Sequence, residues 1–305
     1  MKHAADMQEI WAGHGPAGVL VRIPHPDDEV IGGIRWGVPE IPNCPAYWAI
    51  RCRWEEGASG FLSRGQSLAE EVGFCILGGF GILYEVNAAA FEMLGRHGAF
   101  ELDSDLGVDD LGRLLKEPLE VGGRTVRYRF PNQRARRLFD MRSRLRDIPT
   151  AGICALELRD VLQAIDGIGP KTASWIVRNI LDSDDVAIID VHILRACRLM
   201  GVFPERVALP RDYAELERIF LAFANALGVR PSVLDSVMWT EMRSLPARKW
   251  ESVRSGEIGE SPSEVGRNAR RPGRVRGAGR ACPAGASHAT AAKGSEAADR
   301  ATPRH

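Results

Sequence analysis

Between Ser67 and Leu77 the apolar side chains fall at Leu68, Val72, Cys75 and Ile76, the spacing of one helix face. Asn87–Leu94 reads as a second helix. Asn132–Ile148 is longer, with Ala135, Leu138, Phe139, Leu145 and Ile148 on one side and Pro131 just ahead of its start, where proline is tolerated. Leu158, Val161, Leu162 and Ile165 give the inner face of another helix, and one more runs from about Lys171 to Leu181. Helices over Val191–Met200 and Pro231–Arg243 complete a mainly α pattern. Residues 1–60 break the rhythm. Proline and glycine are frequent there, and only two apolar runs, Gly18–Ile23 and Val30–Ile34, have the length of strands. We read them as an irregular N-terminal extension packing on the core. From about Glu251 the periodic apolars give way to Gly, Ala, Ser, Pro and Arg, the composition of a disordered tail. The division is therefore 1–60 extension, 61–250 helical domain and 251–305 tail, with no internal repeat.

Composition narrows the classes. At 45% hydrophobic residues over 305, a sizeable core is available. No apolar run approaches the roughly eighteen residues of a membrane span, and the N-terminus lacks a signal peptide's apolar stretch, so a cytoplasmic address is expected. The six cysteines (44, 52, 75, 154, 197 and 282) form no C-x-x-C pair, which argues against a zinc ribbon, a disulfide framework or a closely spaced iron–sulfur site. Net charge is zero but uneven. Residues 251–305 hold ten Arg/Lys against six Asp/Glu, which leaves the rest of the chain at −4. Any polyanion must therefore meet a local patch. Nine arginines lie between Arg124 and Arg146 with a single acid, Asp140. That stretch is either a solvated helix face or a phosphate-facing stripe. Arg267–Arg280 adds six arginines and no acid.

The most informative segment is Leu156–Gly201. A helix leads into Asp166-Gly167-Ile168-Gly169-Pro170, and a second helix follows. The glycines permit a tight turn and close approach of backbone. Ile168 can plug between the helices, and the amides at the start of the second helix then point outward as a phosphate site. Pro170 suits a first helical position. This pattern resembles the helix-hairpin-helix of the HhH-GPD base-excision DNA glycosylases, a superfamily that includes endonuclease III and, closest to this chain, the 8-oxoguanine DNA glycosylase/AP lyases. Val186–Arg195 looks like the superfamily's aspartate segment: an apolar run, Asp190, one residue, His192, then an arginine, with Asp190 nineteen residues after Lys171. Phe130–Ala135 resembles its N-(K/Q)-A helix start.

The resemblance implies a two-lobed helical fold, no cofactor and no metal, and a partner that is double-stranded DNA carrying a damaged base. A monomer at the nucleoid is expected. It also implies a Schiff-base mechanism with Lys171 as nucleophile and Asp190 as its carboxylate partner. The residues agree with that chemistry. Lysine attacks only as the neutral amine. A helix N-terminus disfavours the ammonium, and partial burial of Lys171 would do so further. Asp190 would stabilise a developing sugar cation. It also suits the N-cap of the following helix, and the two roles are compatible. Gly167, Ile168, Gly169 and His192 are the expected DNA-backbone contacts, although His192 could equally be a packing residue. For the base pocket we expect Trp175, one turn after Lys171, and the pair Asp235 and Trp239. An acid at Asp235 could accept from the edge of a guanine-type base, with Trp239 stacking on it. Core packing for the tryptophans and a helix-start role for Asp235 are the plain alternatives.

Two other readings compete. One is a DNA-binding hairpin without catalysis. The other rests on His25-Pro26-Asp27-Asp28-Glu29, which resembles the zinc signature of LmbE-like deacetylases, with His25 and Asp28 as ligands and Asp27 as base. That fold needs alternating strands and helices and a later histidine ligand. The residues that follow show no such rhythm, and between the motif and His192 the only histidine is His97.

Overall fold

The computed structural model describes residues 7–12, 18–55, 67–79, 81–149 and 152–244. The tail from 251 on lies outside them. All the described residues fall within one unit, residues 1–259. Helices dominate, as the periodicity implies. β1 (Gln8–Ala12) pairs antiparallel with β2 (Val19–Ile23), and β3 (Glu29–Ile31) with β4 (Ile34–Arg35). The run Val30–Ile34 is therefore not one strand. Gly32 and Gly33, at φ of 58° and 81°, fold it back on itself in a hairpin turn. The stretch read as irregular also holds a helix, α1 (Pro45–Glu55). Its residues bury Ala46, Trp48, Ala49, Ile50 and Cys52, a face too broad to leave a visible period.

Then come α2 (Leu68–Leu77), α3 (Tyr84–Arg96), α4 (Val108–Leu114), the hairpin β5 (Leu119–Val121) and β6 (Arg124–Val126), and α5 (Pro131–Arg146). They are followed by α6 (Ala155–Leu162), α7 (Pro170–Leu181), α8 (Val191–Met200), α9 (Tyr213–Leu227) and α10 (Pro231–Ser244). Ser67 caps α2 in a reciprocal box with Glu70, which is why that helix starts where it does.

Two hydrophobic cores result. The first joins the N-terminal strands and α1 to α8, α9 and α10 around Trp48, Phe220 and Phe223. The second is built from α2 to α7, around Leu77, Leu94, Leu138 and Met141, and takes in Ile168 and Ile176. The chain passes from the second core to the first through residues 186–190, which have no regular secondary structure and belong to no sheet among the described residues.

The arginines of the 124–146 stretch do different work. Arg134 donates to Gly78 O at 3.0 Å, Arg142 to Ser104 O at 3.1 Å, and Arg146 to Leu102 O at 2.9 Å. These three satisfy loop and helix-end carbonyls, so the stretch is not a uniform phosphate stripe. Arg124, Arg127, Arg129, Arg136 and Arg144 are exposed.

Candidate active site

The hairpin between α6 and α7 is held from both sides. Ile168 is buried in the second core, as a plug between the helices must be. Gly167 sits at φ 92°, in the left-handed half of backbone space, and a Cβ there would come within 3.0 Å of the Arg137 guanidinium. Arg137 in turn donates to both oxygens of Asp166, at 2.9 and 3.3 Å, tying the turn to α5. Gly169 differs. Its φ is an ordinary −91°, and a Cβ there would meet nothing within 4 Å. It is the N-cap of α7, and no side chain caps that end. The fold itself does not need glycine here. What the missing side chain leaves open is the approach to the first amides of α7, where the helix dipole is positive.

Lys171 follows in the first turn of α7 and is exposed. The partial burial expected for it is thus not supplied by the protein alone. Asp190 lies across from it at the N-cap of α8. One of its oxygens accepts from the His192 amide at 2.8 Å and the Ile193 amide at 3.0 Å, and the side chain is 8% exposed. The capping role is therefore observed. His192 is half-buried, and its backbone amide is one of the two caps.

Between them is a cavity lined by Lys171, Trp175 and Arg178 of α7, Ile188 and Asp190, Ile193 of α8, and Asp235, Ser236, Trp239 and Thr240 of α10. It lies where the two cores meet, with α7 contributed by one and α8 and α10 by the other. Trp175 and Trp239 are both half-buried at its wall, so neither is a plain core residue. Each is oriented by a polar partner. The Trp175 indole donates to Glu71 Oε1 at 3.2 Å. The Arg243 guanidinium lies 4.2 Å over the Trp239 ring.

Asp235 departs from expectation. It is 2% exposed, and both oxygens are engaged. One pairs with Arg178 and accepts from Ser236 Oγ, while the other accepts the Ile188 amide at 3.1 Å. Burial pushes its carboxyl up to about 6, against Arg178, the Ile188 amide and Ser236, which pull it down. It is a wall residue with its polar capacity turned into the protein, not a free carboxylate at a base edge.

Sequence reasoning missed Glu71, Glu217 and Tyr213. Glu71 and Glu217 are acids on the apolar faces of α2 and α9, 1% and 3% exposed. An acid in a buried register was the legible signal. The histidine–aspartate motif near the N-terminus forms a turn. The Asp28 amide donates to His25 O at 2.9 Å, and Asp27 pairs with Arg35. Among the described residues no group of three His, Cys, Asp or Glu could hold a metal, and every sheet is a two-stranded antiparallel one. The deacetylase reading fails on the fold, because these two-stranded antiparallel sheets are not the alternating strands and helices it needs.

Residues 62–229 match the family model described as 8-oxoguanine DNA glycosylase. An 8-oxoguanine DNA glycosylase/AP lyase of Metallosphaera sedula is 39% identical over 116 residues, 37% of this chain and 57% of that protein. The enzyme of the same name from Methanocaldococcus jannaschii is 31% identical over 207 residues, 66% of this chain and 93% of that protein. Among solved structures, the 8-oxoguanine DNA glycosylase of Thermotoga maritima is 27% identical, covering 58% of this chain and 80% of that one, at a TM-score of 0.45. A match over more than half of the chain, together with a relative aligned over nearly its whole length, establishes that the chain belongs to the helix-hairpin-helix family of 8-oxoguanine DNA glycosylases.

Proposed function

We propose that this protein is a DNA glycosylase with AP-lyase activity that removes 8-oxoguanine from duplex DNA, with Lys171 as nucleophile. The observation that supports it most is the cavity between the two cores. It places a lysine at a helix N-terminus, an aspartate and two tryptophan faces around one opening. Such a cavity suits a nucleotide turned out of the duplex, its base between Trp175 and Trp239. The hairpin and the open first amides of α7 take the adjacent phosphate, with His192 close by. Contact of this kind carries affinity and no base identity.

In this reading the neutral Lys171 amine attacks C1′. The bond from C1′ to the base breaks, and the base leaves with the electron pair and takes up a proton. Asp190 stabilises the positive charge that develops on the sugar. Opening of the sugar ring gives a Schiff base. Loss of a C2′ proton then expels the 3′ phosphate, and water releases the lysine. DNA closing over the exposed lysine supplies the desolvation that the free protein lacks. The protein works as a monomer on nucleoid DNA. No helix among the described residues is long and apolar enough to cross a membrane.

The test is a panel of duplexes, each with one lesion, incubated with sodium borohydride. We expect 8-oxoguanine to give the most excision and a stable protein–DNA adduct. Preference for oxidised pyrimidines would defeat the substrate assignment, and DNA binding without an adduct would favour a non-catalytic hairpin protein.

A further inference from the structure

The segment before Asp190 has an unusual support. Its residues are buried, and among the described residues it pairs with no strand. Buried amides must find partners, and here side chains provide them in series. The Ala187 amide donates to Glu217 Oε1 at 3.0 Å, the Ile188 amide to Asp235 Oδ2 at 3.1 Å, and the Ile189 amide to Tyr213 Oη at 3.2 Å. The Tyr213 hydroxyl itself donates to Ala187 O at 2.7 Å. Three consecutive amides are thus taken by residues of α9 and α10.

The two acids do more than fill this role. Glu217 Oε1 also accepts the Ser174 hydroxyl of α7 at 2.9 Å, and its other oxygen pairs with Arg159 of α6. Asp235 pairs with Arg178, also of α7. Each buried carboxylate therefore grips the lysine helix with one bond and the aspartate segment with another. Ser174 and Arg178 are three and seven residues after Lys171 on one rigid helix. Ala187 and Ile188 are three and two residues before Asp190. Hydrogen bonds to ionised carboxylates are short and directional.

We infer that Glu217 and Asp235 are positioning residues that set the separation of Lys171 and Asp190 by stapling the lysine helix to the aspartate segment across the boundary of the two cores. Neither needs to touch DNA. The inference deepens the function proposed above and rests on it for its kinetic arm. It gives Asp235 a role other than reading a base, and it explains why buried carboxylates are retained where the two cores join. Geometry matters here because a shift of about 1 Å at reacting groups can cost on the order of a hundredfold in rate.

Two measurements on the full chain test it. The first is single-turnover excision at saturating enzyme, with the Kd for a duplex carrying an uncleavable abasic analogue measured alongside. Glu217→Leu is expected to lose about ten- to a hundredfold in rate while Kd moves by less than about threefold. Glu217→Gln keeps at Oε1 the acceptor used by both the Ala187 amide and the Ser174 hydroxyl and gives up only the Arg159 pair, so it should recover most of the rate. Ser174→Ala removes only the helix side of one staple, and it stays informative should Glu217→Leu not fold. It should lose roughly three- to tenfold. The second measurement is amide hydrogen exchange without DNA. Ala187 and Ile188 should be protected in the wild type, and about tenfold or more of that protection should be lost at Ala187 in Glu217→Leu and at Ile188 in Asp235→Leu. Folded variants that keep wild-type rates, or a segment that stays equally protected without its staples, would overturn the inference. Protection that is lost in the variants as expected, beside a wild type that excises no lesion, would leave the staples standing and count against the function proposed above.

Discussion

The two sides of the cavity are built by different means. On one side, α7 belongs to the second core, where Ala173, Ile176 and Val177 are buried and Lys171 stands exposed at its start. Apolar packing and a tight turn form it, its Ser174 and Arg178 side chains bond to Glu217 and Asp235, and its backbone bonds are the helix's own. On the other side, Asp190 ends a segment without regular structure, buried and held by side chains from α9 and α10. The first side is open to a ligand and tolerates polar change at its tip. The second is closed, and each of its contacts is a buried polar group whose loss leaves a partner unsatisfied. The difference teaches that a reactive group meant to meet DNA can sit on a plain helix end, whereas its carboxylate partner requires a scaffold of its own.

This contrast can be broken at its most exposed point. Lys171→Gln should abolish borohydride trapping and strand nicking while duplex affinity stays within about threefold, since the hairpin backbone is untouched. Trapping at normal yield would mean that another amine attacks. Asp190→Asn tests the closed side. Asparagine caps a helix as well as aspartate does, so the melting temperature should hold, while excision falls by on the order of a hundredfold through loss of the charge. A melting temperature that falls with the rate would show that Asp190 acts through structure.

The turn sharpens the comparison further. Gly167→Ala should cost about 1–2 kcal/mol in stability, because its φ of 92° suits only glycine. Gly169→Asn should leave the protein as stable or more so, given the preference for asparagine at an N-cap. It should nevertheless weaken binding to every duplex by about tenfold, because the side chain fills the space where a phosphate approaches. Equal affinity of Gly169→Asn and wild type would remove the hairpin amides from the DNA contact.

The smallest effect concerns pH. With its carboxyl raised to about 6, Asp235 is ionised above that value and takes up a proton below it. The staple needs the ionised form. The ratio of wild-type to Asp235→Asn excision rate should therefore be constant at neutral pH and shrink towards one as pH falls through about 6, the other titrations cancelling in the ratio. A ratio that is flat across this range would show that the charge on Asp235 plays no part.

The sequence by itself determined the helices that alternate apolar faces with polar ones, the hairpin with its Gly-Ile-Gly turn, and the lysine and aspartate that flank the cavity. All of these are local: a period, a turn that demands glycine, a cap that favours a short polar side chain. The helix α1 was not legible, because its apolar residues cover most of its surface and leave no period. The arginines were legible as a cluster but not as three carbonyl caps, one turn anchor and five exposed charges, since their partners lie 29 to 56 residues away. The same holds for the cavity wall. That Asp235 turns inward to Arg178 and Ile188, and that Glu217 meets Ser174 and Ala187, depends on α9 and α10 docking where the two cores join. Only tertiary structure decides this, because a buried carboxylate takes its role from the donors packed around it and the local sequence names none of them.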